Sequence, residues 1–335
     1  MHWDAWITEI DRARAIFARL IGAQPNEIAV GSSVSQLVSS LASALSGSRD
    51  RVRRRIVSSV AEFPGVAHAW LALGQSGYQV DLLADNGEGV VSAHAFHDAI
   101  DETTALLSVP HVCYANGMMI DPTSLTRAAH AEGALVFIDA YQSIGTVPID
   151  VTSSGVDFLA AGTLKYLLGT AGIAFLYVNP ELIEQLEPTV TGWFGRSHPF
   201  AFEPARLDYA ATAARFDLET PPIIAAYAAS AGMQLVLDTG VVRIREHIET
   251  LSALAYRLAS ERGLRVLGLH SVQEKGATTA IDAGDPERAH VLEQRLRSRS
   301  IIASARGRAI RLAPHGFTSE EEVEQALDVV AELLQ

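Results

Sequence analysis

Two residues with reactive side chains each follow an apolar segment of the kind that forms a buried strand. Asp139 ends the run Ala134-Leu-Val-Phe-Ile-Asp139, and Lys165 lies beyond a second apolar run at 156–162. In open α/β sheets, ligands bind outside the carboxyl ends of the strands, so Asp139 is expected to face a site. Burial lowers the pKa of an amine, and the neutral amine is the form that condenses with an aldehyde. The two residues therefore predict a Schiff-base lysine with an acid in the same site.

The rarity of lysine strengthens this interpretation. Of 26 basic residues only Lys165 and Lys275 are lysines. An arginine could not replace a Schiff-base lysine, because its guanidinium stays protonated and does not condense with an aldehyde. Two structural alternatives remain open. A strand-terminal Asp139 is equally suited to capping the following turn, and Lys165 could extend along apolar surface at a sheet edge.

A possible anion site lies near the start of the chain. The segment Gly31-Ser-Ser33 separates a short strand candidate, 28–30, from a helix that runs to about Leu45. Backbone N–H groups, hydroxyls and the helix dipole converge on an anion at such a position, although a serine that only caps the helix gives the same pattern. An acid, an amine and this helix start together match the needs of pyridoxal phosphate (PLP): a protonated ring nitrogen, a bound aldehyde and a bound phosphate.

The composition sets limits on the class of protein and of partner. The chain has 335 residues, 48% hydrophobic and 19% charged, with a single cysteine. These values exclude a disordered chain, a disulfide scaffold and a zinc site built on several thiolates. The net charge of −13 disfavours a nucleic-acid or anionic membrane partner. Because the chain lacks an apolar run of about 20 residues and a signal-like start, we predict a cytoplasmic protein that acts on a small molecule.

Strand-like and helical segments alternate from residue 28 to residue 159, which predicts an α/β fold with a largely parallel sheet. The strand at 173–178 follows too soon for a crossover helix, so an antiparallel pairing is expected there. A helix opens at Thr220-Pro-Pro222, and a smaller α/β domain follows, with helices near 248–261 and 286–299 and strands near 264–267, 278–282, 301–304 and 309–313. We therefore predict a large domain over 1–220 and a linking helix with a small domain over 221–335.

The central part of the sequence resembles a known family. The segment Asp139-Ala-Tyr-Gln-Ser-Ile-Gly-Thr-Val-Pro-Ile-Asp150, with Lys165 and Gly172-Ile-Ala-Phe-Leu-Tyr177, is similar to the class V aminotransferases of fold type I PLP enzymes. This family includes cysteine desulfurases, selenocysteine lyases, isopenicillin N epimerases, C–S lyases and kynureninases. The resemblance implies a mainly parallel, seven-stranded sheet in a large domain, a smaller C-terminal α/β domain, and a homodimer with sites at its interface.

The resemblance also implies roles for the residues that bind the cofactor. Lys165 matches the Schiff-base lysine, and Asp139 matches the partner of the pyridine nitrogen. Gln142 matches a glutamine that bonds the ring hydroxyl; kynureninases usually have histidine there, which argues mildly against that branch. Ser32 and Ser33 match a phosphate-binding pair.

Further positions are carried over in the same way. Phe63, in Glu-Phe-Pro-Gly, matches the residue whose ring lies on the cofactor, with a core aromatic as the alternative. Thr163 partly substitutes for the Ser-Gly-His that precedes the lysine in desulfurases. Thr220 matches a threonine that reaches the neighbouring subunit's cofactor phosphate. Arg311 resembles the arginine that holds the substrate carboxylate, with Arg306 as a second candidate.

Two more residues are assigned to the substrate, Asn116 and Trp193. Trp193 lies in Gly-Trp-Phe-Gly, which resembles a kynureninase active-site loop but would also suit the wall of a subunit interface.

The resemblance is incomplete where desulfurases carry their reactive cysteine. The corresponding run, 301–307, contains no cysteine, and Cys113 lies in an apolar strand-like segment. We therefore expect an α-amino acid or amino-acid conjugate to undergo β-elimination, for example C–S cleavage, without a persulfide on the protein. Epimerisation, transamination and decarboxylation-linked oxidation are alternatives within the family. An inactive relative or a nucleotide-binding module is the alternative outside it, although no Gly-x-Gly-x-x-Gly fingerprint is present.

Overall fold

A computed structural model describes residues 3–47, 52–268 and 271–334. Seven strands form one sheet: β1 Ile28–Gly31, β2 Arg55–Ser59, β3 Gln79–Leu83, β4 Thr104–Pro110, β5 Leu135–Asp139, β6 Phe158–Gly162 and β7 Ala174–Val178. Their order in the sheet is β1-β7-β6-β5-β4-β2-β3. Strands β2 to β6 run parallel to one another, whereas β7 is antiparallel to both β6 and β1. The mainly parallel sheet and the antiparallel pairing of β7 are thus confirmed.

Helices cover both faces of this sheet, which explains why its central strands are apolar throughout. In β5, Val136 and Ile138 join the apolar cluster on one face, whereas Phe137 joins the cluster on the other. This alternation is the consequence of the two-residue period of a strand. The helices of this part are α1 Trp3–Leu20, α2 Val34–Ser46, α3 Pro64–Ala72, α4 Ala93–Ala99, α5 Pro122–Ala131, α6 Val151–Ser154 and α7 Pro180–Ile183.

The first helix is held to the sheet by an aromatic pair. The rings of Phe17 in α1 and Phe175 in β7 stack with their centres 4.5 Å apart, and both side chains are fully buried. We expect Phe17→Ala to lower the free energy of unfolding by about 3–5 kcal/mol, because it leaves a cavity in the core. Urea unfolding followed by tryptophan fluorescence measures this loss. The exposed Val242→Ala is the control, and an equal effect of the two substitutions would contradict the packing described.

The C-terminal part contains the elements α8 Ile223–Thr239, α9 Val241–Glu261, β8 Val266–Leu267, β9 Thr279–Asp282, α10 Pro286–Ser298, β10 Ser304–Arg306, β11 Ala309–Leu312 and α11 Glu320–Leu334. Its four strands form a second, antiparallel sheet in the order β10-β11-β9-β8. Helix α9 begins earlier than predicted, because Gly240, at φ 89°, lets the chain turn directly from α8 into it.

The strand predicted at 301–304 lies three residues later than expected. Ser300 has a left-handed backbone at φ 62°, and the Ile301 N–H donates to the Leu296 carbonyl at 2.9 Å. These residues therefore close the end of α10 instead of beginning β10.

The linking helix α8 packs against the large sheet's core. Ala226, Ala229 and Met233 are fully buried in the same apolar cluster as α1. The division at residues 220 and 221 remains a prediction. Among the helices that the structure describes, none combines the length and the apolar character needed to cross a bilayer.

Candidate active site

A cavity of about 200 Å³ opens where three neighbouring strands of the large sheet end. Pro110 ends β4, Asp139 ends β5, and Lys165 follows the end of β6. The topology therefore brings together the acid and the amine that the sequence singles out, at the sheet edge where α/β proteins bind ligands. The residues that line the cavity are Phe63, Pro110, Val112, Tyr114, Asp139, Tyr141, Gln142, Leu164 and Lys165.

Lys165 is carried on a turn that is fixed by its neighbour Thr163. The Thr163 side chain is fully buried, and its hydroxyl donates to the Thr170 carbonyl at 3.0 Å. The Gly169 N–H donates to the Thr163 carbonyl at 2.8 Å, which closes the loop around the lysine. The structure thus gives Thr163 a role in holding this turn, and a direct contact with the cofactor phosphate stays a prediction.

Aromatic rings and charges surround the Lys165 amine. Its Nζ lies 4.7 Å from the centre of the Tyr141 ring and 5.9 Å from that of Phe63. Burial lowers the pKa of Lys165 to about 8, the Asp139 charge opposes this shift, and the charges of Arg311 and Arg306 add to it. A substantial fraction of the Lys165 amine is therefore uncharged, and able to react with an aldehyde, at neutral to mildly alkaline pH.

This lowered pKa predicts a pH dependence for covalent attachment of the aldehyde. Because the neutral amine reacts, we expect the rate of imine formation with PLP to rise with pH and to level off above about 8, instead of rising towards the ordinary lysine value of 10.5. Stopped-flow absorbance on the Lys275→Arg variant, which retains Lys165 as its one lysine, measures the profile. A rate that keeps rising through pH 10 would contradict the buried position of this amine.

Asp139 forms part of the cavity wall and is only 6% exposed. Its Oδ1 accepts a hydrogen bond from the Tyr141 N–H at 2.8 Å. Burial raises the pKa of Asp139, whereas the Tyr141 N–H, the Lys165 charge and a hydrogen bond with Glu62 oppose the rise. The acid predicted from the sequence is thus paired with a second acid.

Glu62 is the residue of this site whose role the sequence did not indicate. It is 3% exposed, and its Oε1 accepts from the Phe63 N–H at 2.8 Å. Its Oε2 accepts from the Ser108 hydroxyl at 3.2 Å, and that hydroxyl accepts from the Trp70 indole N–H at 2.9 Å. Burial first, and the charge of Asp139 second, raise the pKa of Glu62 well above its usual range. The available signal was its place beside Phe63 in Glu-Phe-Pro-Gly.

The start of α2 lies against the segment that carries Phe63. A Cβ atom on Gly65 would lie 2.6 Å from the Ser35 hydroxyl, so a larger residue at position 65 would require the Ser35 side chain to move. Ser33 caps α2 by accepting from the Gln36 N–H at 3.2 Å, and the Ser32 hydroxyl donates to Gln36 Oε1 at 2.9 Å. Ser32 and Ser33 therefore lie at the start of a helix that approaches the Phe63 segment, and phosphate binding by them stays a prediction.

Arg311 approaches the same site from the small sheet. Its Nη1 donates to the Tyr114 carbonyl, and its Nη2 donates to the Ser304 hydroxyl at 2.7 Å. Its Nε is buried without a hydrogen-bond partner among the described residues. The Tyr114 ring meets Phe63 edge to face, with centres 5.3 Å apart, so Arg311 reaches the rim of the cavity through Tyr114. Arg306 is exposed, and its charge also acts on Lys165.

Three more of the predicted residues also lie outside the cavity lining. The Asn116 amide donates to the Gly89 carbonyl at 2.9 Å and accepts from the Met118 N–H at 3.0 Å, so it holds a loop. Trp193 packs edge to face on Trp3 and Phe194. Thr220 is exposed, as a residue that reaches a second subunit would be. Substrate binding by Asn116 and Trp193 and phosphate binding by Thr220 stay predictions.

These residues fit the cofactor expected from the sequence. PLP needs an amine, an acid for its ring nitrogen and an anion site for its phosphate. Lys165 supplies an amine of lowered pKa, Asp139 supplies a buried acid in the same cavity, and the start of α2 lies close to Gly65. Gln142 and Phe63 also line this cavity.

Comparisons with known proteins show the family of the chain. The class-V aminotransferase family matches residues 3–317. An uncharacterized aminotransferase, YcbU, of Bacillus subtilis is 39% identical over 98% of this chain and 85% of its own length. A kynureninase of Pseudomonas fluorescens is 30% identical over 98% of this chain and 80% of its own.

The solved structure of a Thermococcus onnurineus cysteine desulfurase, 24% identical, superposes with a TM-score of 0.87 over 99% of this chain and 85% of that chain. It shares the fold type I arrangement of a large, mostly parallel sheet and a smaller domain. With the family match over nearly the whole sequence, the chain belongs to the class-V aminotransferases, and its cofactor is pyridoxal 5′-phosphate.

Proposed function

We propose that the enzyme catalyses β-elimination on an α-amino acid that carries a sulfur leaving group. The observation behind this proposal is the chemistry of the cavity lining: among the residues that the structure describes there, Lys165 is the one amine and none carries a thiol. Cys113 lies between the lining residues Val112 and Tyr114 but does not line the cavity itself. Its Sγ lies 3.7 Å from the Ala61 carbonyl, and burial raises the pKa of its thiol. The protein thus has a base for the substrate but no thiol in the cavity to accept its sulfur.

Each role falls to a residue at the cavity. PLP bound there would withdraw electrons from the substrate α-carbon. Lys165 would hold the aldehyde and, once displaced by the substrate amine, would take the proton from the α-carbon. Asp139 would accept the N–H of the ring, and Arg311 would bind the substrate carboxylate. The reaction balances as R–S–CH₂–CH(NH₃⁺)–COO⁻ plus water giving R–SH, pyruvate and ammonium.

Transamination is the second candidate, because the relative at 39% identity carries an aminotransferase name. It needs the same amine and the same ring acid. Epimerisation would need a further acid on the opposite face of the substrate. Burial raises the pKa of Tyr141, one of the two phenols that line the cavity, which makes it a poor donor for that step.

Product analysis separates the two candidates. The purified enzyme, loaded with PLP, is incubated with S-alkyl cysteines, alanine and aspartate, each with and without a 2-oxo acid. Elimination predicts thiol and pyruvate in equal amounts from the S-alkyl cysteines without the 2-oxo acid. Turnover of alanine or aspartate that depends on the 2-oxo acid, with no thiol released, would contradict elimination and support transamination.

We also expect Arg311, and not Arg306, to bind the substrate carboxylate. Arg311→Lys removes the planar fork and the buried Nε, so KM for the amino acid should rise by at least about tenfold. Arg306→Lys, at an exposed guanidinium whose charge also reaches Lys165, is the matched control and should leave KM within about twofold. Equal effects of both substitutions on KM would contradict this assignment.

A homodimer is the final part of the proposal. Exposed apolar side chains follow Thr220 along α8, with Ile224 at 90%, Tyr227 at 51% and Leu235 at 57% exposure. A monomer rarely exposes such a row, and a second copy would cover it. Light scattering of the PLP-loaded protein, with Ile224→Asp as the disrupting variant, tests this association. A monomeric wild-type protein would contradict it.

A further inference from the structure

Two buried acids form a pair at the cavity wall, and no residue role derived so far accounts for one of them, Glu62. Glu62 and Asp139 are hydrogen-bonded to each other, and they are 3% and 6% exposed. Two carboxylates in contact and shielded from water cannot both keep their charge, because desolvation and mutual repulsion favour a shared proton. The question is which acid holds that proton.

The hydrogen bonds around the pair favour Glu62 as the proton holder. Asp139 accepts from the Tyr141 N–H at 2.8 Å and faces the positive charge of Lys165, and both interactions favour its ionised form. Glu62 has no cation beside it among the described residues. Burial and the charge of Asp139 act together to raise the pKa of Glu62 well above its usual range.

The surroundings of Glu62 also fix its orientation. The Phe63 N–H holds one oxygen at 2.8 Å, and the chain from the Trp70 indole through the Ser108 hydroxyl holds the other. Because Phe63 and Glu62 are adjacent, the same short segment places a ring at the cavity and an acid behind it. Both carboxyl oxygens of Glu62 are therefore held by the backbone or by fully buried side chains.

We propose that Glu62 is a positioning residue for the cofactor: as a neutral acid, it donates a hydrogen bond to Asp139 and keeps Asp139 ionised and oriented as the acceptor for the ring nitrogen. This inference rests on the proposed cofactor roles of Asp139 and Lys165. It adds a residue that does not line the cavity and acts only through its neighbour. A conservative amide should preserve the function of Glu62, because Gln also donates a hydrogen bond.

Infrared spectroscopy of the PLP-loaded protein at pH 7.5 locates the proton. A protonated carboxylic acid gives a carbonyl band at higher wavenumber than carboxylates, and its position shifts in D₂O. We expect this buried-acid band in the wild type and in Asp139→Asn, and its loss in Glu62→Gln. Glu9→Gln, at a second buried glutamate in α1, is the matched control and should retain the band. A band lost in Asp139→Asn and kept in Glu62→Gln would place the proton on Asp139 and overturn the proposal.

Cofactor affinity tests the consequence. By equilibrium dialysis, Glu62→Gln should bind PLP within about threefold of the wild type, and Glu62→Met, which lacks a donor, should bind about tenfold more weakly or worse. Circular dichroism checks that the methionine variant folds. If the methionine variant does not fold, the affinity of the glutamine variant for PLP still tests the proposal. Wild-type affinity in a folded Glu62→Met would overturn the proposal. Failure of the wild type to form a borohydride-reducible bond at Lys165 would instead refute the proposed cofactor site, whatever the infrared result.

Discussion

Lys165→Arg is expected to lower kcat for elimination by at least about 10³-fold, because it removes both the amine that binds the aldehyde and the base that takes the α-proton. The substitution keeps a positive charge next to Asp139, so loss of an ion pair does not explain the effect. Initial rates of pyruvate release by the PLP-saturated variant measure it.

The chain offers a matched control for this experiment. Lys275 is the second lysine, it is 2% exposed, and burial lowers its pKa to about 8, as for Lys165. Its Nζ donates to the Thr279 hydroxyl at 2.7 Å, and it lines no part of the cavity. Lys275→Arg should therefore retain activity within a few-fold if it folds. Loss of activity in Lys275→Arg with retention in Lys165→Arg would reverse the assignment.

Asp139→Asn is expected to lower kcat by about 10²-fold or more, the effect typical of removing a preorganised group that stabilises charge in the transition state. The amide is nearly isosteric, but it is neutral and cannot hold the ring nitrogen protonated. The absorbance spectrum should still show a cofactor bound at Lys165, because the amine is intact. Rates and spectra recorded on the same sample measure both properties.

A buried acid outside the cavity serves as control for Asp139. Asp157 is 3% exposed and accepts from the Val136 N–H at 2.8 Å. Asp157→Asn should lower the free energy of unfolding without a comparable loss of kcat in the folded fraction. Wild-type kcat in Asp139→Asn would contradict the role given to Asp139.

The sequence predicted the elements that place the site, because strand and helix periodicity and the apolar run before Asp139 are local signals. The order β1-β7 at one edge of the sheet, which pairs Ile28 with Tyr177, depends on a contact between distant segments that no local pattern encodes. The close approach of α2 to Gly65 likewise depends on a contact between segments that are distant in the sequence.

The two lysines show how far local signals distinguish candidate site residues. Both are buried with a lowered pKa, so titration alone does not separate them. The apolar strand before Lys165 and the acid at Asp139 favour Lys165, and the structure places these two residues in one cavity. The role of Glu62 could not be predicted, because its pairing with Asp139 requires the register of β5 beside β4 and the position of the loop before α3.

Asn116 shows a different difficulty. Its assignment to the substrate stays a prediction, and in the structure its side chain is hydrogen-bonded to the backbone of Gly89 and Met118. An amide that satisfies a loop and an amide that binds a substrate have the same appearance in a sequence.

Borohydride reduction of the PLP-loaded protein, followed by proteolysis and mass spectrometry, tests the central assignment most directly. Reduction converts the bond between an amine and the cofactor aldehyde into a stable one, and the chain has only two lysines that could carry it, at positions 165 and 275. We expect the pyridoxyl mass on the peptide that contains Lys165, with Lys275 unmodified. A label on Lys275, or no label on either lysine in a sample saturated with PLP, would contradict the account.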